Sequence, residues 1–356
     1  MIQSLLRIAV APLIAPLLFL PGGDLLGQRA PGKGAINEAA VESPLQRFPA
    51  RILQRGSATL QIQILLDRAN FSPGIIDGFW GENAAKALAF FVTPDDDEHL
   101  SGGTPARVPR IDRKAYERLR LAAGPEPLLE RYTVTPDDLA GPFVDIPDQV
   151  YAQAKLDCLC YSSPAESLAE RFHTSETLLA QLNPVVKLDR LTSGTVLIVP
   201  NVENTNAASP LDTVIVAKLI ISRDGFWTHA IDNAGRIVYH MPSTLGAGYD
   251  PSPTGVFRIT YIARDPAFRY QPKLFAEVPD DRPEALLAAG PNSPVGVVWM
   301  SLSKPHYGIH GTSSPETIGY ANSHGCVRLT NWDALTLSSL VESGTRVEFH
   351  QSDSER

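Results

Sequence analysis

The chain of 356 residues has only three cysteines, Cys158, Cys160 and Cys326. At most one disulfide can form, and an exported protein with this odd count leaves at least one thiol unpaired. Cys158 and Cys160 either bridge each other in a tight Cys-x-Cys ring or are two buried small hydrophobes, and Cys326 is the one left over. Positive charge is also short. The 31 Lys and Arg against 39 Asp and Glu give a formal net charge of -8 with no basic stripe, which excludes the electrostatic footprint of a nucleic-acid binder. Beyond the first thirty residues no apolar run approaches the roughly 20 residues that span a bilayer, and no cysteine stands near that N-terminal segment to carry a lipid.

What is present is a chain that is 44% hydrophobic and long enough for two or three compact domains. Arg7 precedes the apolar residues 8–20, which Pro12 and Pro16 interrupt, and Pro21-Gly22-Gly23 follows. One early positive charge, a short apolar stretch and a helix-breaking exit are the parts of a secretory signal at residues 1–30, so the expected location is the periplasm or cell envelope. An uncleaved anchor or a buried helix is the competing reading. Residues 31–49 mix Gly, Pro, Ala and charge without periodicity and read as a linker.

From residue 50 the texture changes. Leu60, Ile62, Ile64, Leu65 and Leu66 form one apolar block, and Ala84, Ala85, Ala87, Leu88, Phe90 and Phe91 form a second at helical spacing. Ile76-Asp77-Gly78-Phe79-Trp80-Gly81 makes a turn between them, and residues 113–123 read as a third helix. The order Leu60-Gln61, Gly74-x-x-Asp77-Gly78-x-Trp80-Gly81, Ala84, Ala87-Leu88 and Phe90-Phe91 resembles the small helical peptidoglycan-binding domain of wall enzymes, over residues 50–123. An ordinary helical bundle is the plain alternative. Residues 131–203 are similar to the α+β LysM glycan-binding module in their order of strand, two short helices and strand, carried by Tyr132-Thr133-Val134, residues 167–172 and 178–184, and Leu191-x-x-Gly194-x-x-Leu197-x-Val199-Pro200. They depart from it by an insertion at 137–164 that holds Cys158 and Cys160, and a structural spacer is the alternative there.

From residue 211 the pattern turns to β. Apolar or β-branched runs at 214–216, 219–221, 228–231, 236–239, 256–261, 295–300 and 346–349, separated by Gly, Asp, Asn and Pro, imply a mainly-β domain, a β-sandwich or irregular barrel, over 211–350. One helix is expected at 332–343, capped by Asn331 or Thr330 and ended by Gly344. The whole is therefore expected to be multidomain.

The residues that carry chemistry are His310-Gly311-Thr312 and, after a loop, Ser323-His324-Gly325-Cys326-Val327-Arg328. A thiol of ordinary pKa near 8.5 is only a few per cent thiolate at neutral pH, so a nucleophilic cysteine needs a base or positive charge beside it. Gly325 permits a turn that presents Cys326 and aims backbone N–H groups at a developing oxyanion. The planar fork of Arg328 suits a substrate carboxylate. Together with Thr254-Gly255-x-Phe257 and Gly344-Thr345-x-Val347, these motifs resemble the L,D-transpeptidase (YkuD) catalytic domain.

That resemblance implies Cys326 as the acylated nucleophile and His310 as the base, oriented by a backbone carbonyl at Gly311 or Thr312. It implies His324 and Gly325 as flanking positions, the amides of Gly325 and Cys326 as an oxyanion hole, and Arg328, Tyr307, Thr312 and Ser323 as substrate-binding residues. It implies peptidoglycan stem peptides as substrate, a wall-anchored protein or other amine as a further acceptor, and no metal or cofactor. The segment 264–292 is longer than the shortest family members need and reads either as a lid or cleft wall or as a surface insertion. Zinc held by His306, His310, His324 and Cys326 is a rival. It is weakened because His306 and His310 lack the glutamate of a His-Glu-x-x-His helix and would lie about 13 Å apart along a strand. A cysteine carboxypeptidase or amidase, and a non-catalytic wall-binding protein, are the other rivals.

Overall fold

The computed structural model describes residues 36–93, 110–203, 215–248, 251–275, 278–279 and 281–350. The expected signal at 1–30 lies outside them. The described residues of Gly34–Arg356 cluster as one compact unit.

The N-terminal part comprises α1 (Glu38–Glu42), β1 (Ala50–Arg51), α2 (Ser57–Arg68), α3 (Glu82–Val92), β2 (Arg110–Ile111) and α4 (Arg113–Ala123). The stretch read as linker thus holds a helical turn at α1, and its Val41 is fully buried. Helix α2 is buried along almost its whole length, which leaves its glutamines out of water, and each is matched to polar partners. Gln61 Nε2 donates to the Val41 and Ser43 carbonyls, while Gln63 Oε1 accepts from Gly78 N at 2.7 Å. Gly78 sits at φ +72°, where a side chain is disfavoured.

A βααβ unit with one inserted helical turn follows: β3 (Leu129–Thr133), the inserted turn α5 (Val150–Gln153), α6 (Pro164–Arg171), α7 (Glu176–Leu182) and β4 (Val196–Pro200), with β3 and β4 antiparallel. Ser163 and Ser175 cap α6 and α7 by accepting from the N–H groups of Glu166 and Leu178. The unit has its own small core of Val134, Leu168, Phe172, Leu179, Leu197 and Val199. Within the insertion, Cys158 and Cys160 form a disulfide.

The C-terminal part holds β5 (Val216–Ser222), β6 (Trp227–Asp232), β7 (Ile237–Pro242), β8 (Gly255–Arg264), β9 (Phe268–Tyr270), β10 (Ala285–Leu287), β11 (Val298–Leu302), β12 (Gly308–His310), β13 (Val327–Arg328), α8 (Asn331–Leu340) and β14 (Arg346–His350). Eight strands make one mixed sheet in the order β13-β12-β11-β8-β14-β5-β6-β7. Beyond β7 the chain bridges the opposite edge, with Thr244 against Arg328 and Gly246 against Ser323. The sheet therefore curls until its edges meet, which protects both from other strands. Of the two expectations the irregular barrel describes it, and a two-layer sandwich does not.

Three local readings are corrected. The strand expected at 295–300 begins only at Val298, because Gly296 turns the chain at φ +59°. The helix expected at 332–343 runs Asn331–Leu340, with Thr330 as cap accepting from Asp333 N, and ends in extended backbone at Val341. Strand β12 falls in the 306–310 run that reads as β, whereas no strand is expected at β13. The helical part and the sheet share a core: Leu60, Leu88 and Phe90 belong to the same buried cluster as Ile220, Trp227 and Ile231. Each such side chain contributes about 1.5–3 kcal/mol on burial, so that seam binds the two firmly.

Candidate active site

The site lies where β12 meets β13. Three elements place His310. Trp299 is its antiparallel partner on β11, and the two rings stack at 5.4 Å and 22°. Gly308 leaves room for that indole, since any Cβ there would run into the Trp299 ring. On the other side β13 pairs in parallel, Ile309 with Val327 and His310 with Arg328, and Leu329 N donates to His310 O at 2.8 Å. Cys326 is the residue immediately before β13.

The imidazole is buried, and its Nδ1 lies 2.7 Å from Gly311 O. A carbonyl can only accept, so Nδ1 carries the proton and Nε2 keeps the lone pair. Burial, and after it the Arg328 cation, push the pKa down to about 3 against the pull of the Gly311 bond. His310 is therefore neutral at physiological pH, in the tautomer able to accept a proton at Nε2.

Cys326 is half-buried and is the one cysteine outside the disulfide. Its Sγ lies 3.7 Å from the carbonyl of His306, a residue held at φ +68°. The loop before it is clamped from both sheet edges. Gly325 sits at φ +85°, the left-handed region that the motif reading required. Ser252 Oγ donates to Gly325 O at 2.8 Å and accepts from Gly246 N. Ser323 Oγ donates to Cys326 O at 2.5 Å. Peptide units are planar, so holding the Gly325 carbonyl also sets the direction of the Cys326 N–H.

The remaining sequence candidates fall into two groups. Thr312 and Ser323 are buried, and their hydroxyls bond backbone: Thr312 Oγ1 accepts from Ser314 N. Tyr307, His324 and Arg328 are half-buried at the same loops. Lys304 Nζ stands 4.3 Å over the Tyr307 ring, and Phe275 meets the His324 ring edge-on at 4.9 Å. Phe275 comes from the 264–292 segment and packs on Tyr270 of β9, so that segment reaches the loop before Cys326. Among the described residues no three His, Cys, Asp or Glu side chains gather as a metal cluster.

Residues 219–349 match the family model of the YkuD L,D-transpeptidase catalytic domain. The putative L,D-transpeptidase YkuD of Bacillus licheniformis is 33% identical over 182 residues, 51% of this chain and 90% of the relative. The chain belongs to the YkuD L,D-transpeptidase family. The Bacillus subtilis protein of the same name is 31% identical over 52% of this chain and 92% of its own length. The probable L,D-transpeptidase YbiS of Escherichia coli is 27% identical over 53% and 60%. An Enterococcus faecium L,D-transpeptidase structure aligns over 38% of this chain and half (50%) of its own length, at 16% identity and a TM-score of 0.29.

Several residues of this L,D-transpeptidase site escaped the sequence reading. Trp299 was read only as a strand residue, and its register against His310 is not a local property. Ser252 reaches Gly325, beside Cys326, across 73 positions. His306 was weighed only as a zinc ligand, yet its backbone oxygen faces the thiol. Asn331 reads as a helix cap in the sequence, yet its Oδ1 accepts from Thr312 N and Val297 N and so holds the chain that follows His310.

Proposed function

We propose that this chain is an exported L,D-transpeptidase that joins peptidoglycan stem peptides through a thioester on Cys326. Family membership makes peptidoglycan stems the substrate class and the cell envelope the place of work. The observation that supports the residue roles is the parallel pairing of β12 with β13, which lays the strand that directly follows the half-buried Cys326 beside the strand that carries His310, whose Nδ1 is already engaged.

In this mechanism His310 Nε2 takes the Cys326 proton as Sγ attacks the carbonyl of the L-centre preceding the terminal D-residue of a tetrapeptide stem. The N–H groups of Gly325 and Cys326 receive the oxyanion. The C–N bond breaks, the D-amino acid leaves with the proton from His310, and the thioester remains. An amine of a second stem then attacks, with His310 again as base, to give a 3-3 cross-link and restore the thiol. A free D-amino acid or a wall-anchored protein serves as an alternative acceptor. Arg328 and Tyr307 hold substrate, while Thr312 and Ser323 hold the loops that do so. The helical part and the βααβ unit are read as wall-binding modules of the peptidoglycan-binding and LysM types, which keep the enzyme on its polymer.

Incubation with purified tetrapeptide muropeptides, with products read by mass, tests the reading. Dimers formed with release of the terminal D-residue are expected from the wild type and none from Cys326→Ala. Tripeptides alone would make the enzyme a carboxypeptidase, and dimers from the alanine variant would remove Cys326 from the mechanism.

A further inference from the structure

The base is held by a chain of contacts that begins in the βααβ unit. The peptide between Gly311 and Thr312 is gripped from both sides: its C=O accepts from His310 Nδ1 at 2.7 Å and its N–H donates to Asn331 Oδ1 at 3.1 Å. One plane carries both groups, so whatever fixes Asn331 also fixes the carbonyl that orients the imidazole. The same Oδ1 accepts from Val297 N at 3.3 Å, and Gly296 and Gly311 lie so close to it that a Cβ at either would collide.

The direction of the Asn331 amide is dictated by chemistry. Two N–H groups face one end and can only donate. Glu170 faces the other, where Nδ2 lies 3.1 Å from each carboxylate oxygen, with Pro291 O at 3.2 Å. Glu170 sits on α6, 161 positions before Asn331, and is itself held by the Tyr161 hydroxyl at 2.7 Å. Asn331 is almost wholly buried, so its donors need these partners.

We propose that Glu170 is a positioning residue for catalysis, which fixes His310 through Asn331 and the Gly311–Thr312 peptide and so makes the βααβ unit part of the active enzyme. The inference rests on the reading of Cys326 as nucleophile and His310 as base. Without Glu170, Asn331 Nδ2 keeps only the Pro291 carbonyl, the amide is held mainly from its oxygen end, and the outer grip on the peptide plane loosens.

The test compares full-length Glu170→Ala, Glu170→Gln and His310→Ala enzymes by the rate at which iodoacetamide alkylates Cys326 from about pH 5 to 9, alongside their thermal unfolding. Glu170→Gln keeps an acceptor for Asn331. Glu170→Met, of similar length without an acceptor, replaces the alanine variant if that one does not fold. Misplacing a catalytic group by about 1 Å costs up to about 100-fold, so Glu170→Ala is expected to slow alkylation at neutral pH by about tenfold or more and move its profile to higher pH. The glutamine variant is expected to stay within about twofold of wild type, and His310→Ala to slow at least as much as Glu170→Ala. A wild-type profile in Glu170→Ala beside a slowed His310→Ala would overturn the role of Glu170 and leave the base in place. An unchanged His310→Ala would overturn the base reading itself, and this inference with it.

Discussion

Replacing Asp333 with asparagine probes the junction on which α8, and so Asn331, is seated. Asp333 is fully buried, with Tyr239 Oη donating to one oxygen at 2.8 Å and Ser72 Oγ to the other at 3.0 Å. Burial, and next the charge of Asp67, raise its pKa from 3.8 to about 7 against the pull of Tyr239 and His173. Between those two values the folded protein keeps a proton that the unfolded chain has released. Stability therefore falls as pH rises from 3.8 to about 7 and is level above. At about 1.4 kcal/mol per pH unit, the span amounts to about 4 kcal/mol held against the fold at pH 8. Asparagine can accept from Tyr239 and donate to Ser72, and it has no charge to bury. Urea unfolding should find Asp333→Asn more stable than wild type by up to about 4 kcal/mol at pH 8, and close to wild type near pH 4. An equal difference at both pH values would show that packing, rather than ionisation of Asp333, sets the effect.

Buried His240 behaves with the opposite sign. His229 Nε2 and His240 Nδ1 lie 2.9 Å apart, and burial, followed by Lys86, holds His240 down at about 3. The unfolded chain takes up a proton below about pH 6.5 that the folded chain refuses, so this contribution to stability is lost as pH falls. His240→Asn, which keeps an acceptor for His229, should be about 2 kcal/mol less acid-sensitive between pH 7.5 and pH 5 by urea unfolding. Trp299→Leu should admit water to His310 and raise its pKa, seen as an upward shift of the imidazole titration by NMR. Gly325→Ala, forced to keep φ +85°, should cost about 1 kcal/mol of stability and slow acylation of Cys326 in a stopped-flow assay.

Local pattern carried much of this molecule. The helix expected at 113–123 is α4 to the residue, and the motif around Cys326 led to the loop where the thiol outside the disulfide sits. Gly325 was readable because its backbone needs a conformation that few other residues adopt. What was not readable depends on pairs far apart in the chain. The closing of the sheet rests on Thr244 meeting Arg328, two residues whose own neighbourhoods say nothing of each other. Strand β13 is two residues long and exists because neighbours hold it, not because of β propensity. Asn331 looked like a helix cap, and its grip on Thr312 and Glu170 appears only once three separate segments are brought together.

The central claim is that the acyl group passes through the sulfur of Cys326. Mixing the enzyme with tetrapeptide muropeptide in the absence of an acceptor amine, quenching in acid within one turnover, and reading the intact and peptide-mapped mass tests it directly. One acyl group per chain, located on Cys326, lost on adding acceptor amine and absent from Cys326→Ala, is the predicted result. An acyl group on any other residue, or full turnover with no covalent species at any quench time, would contradict it.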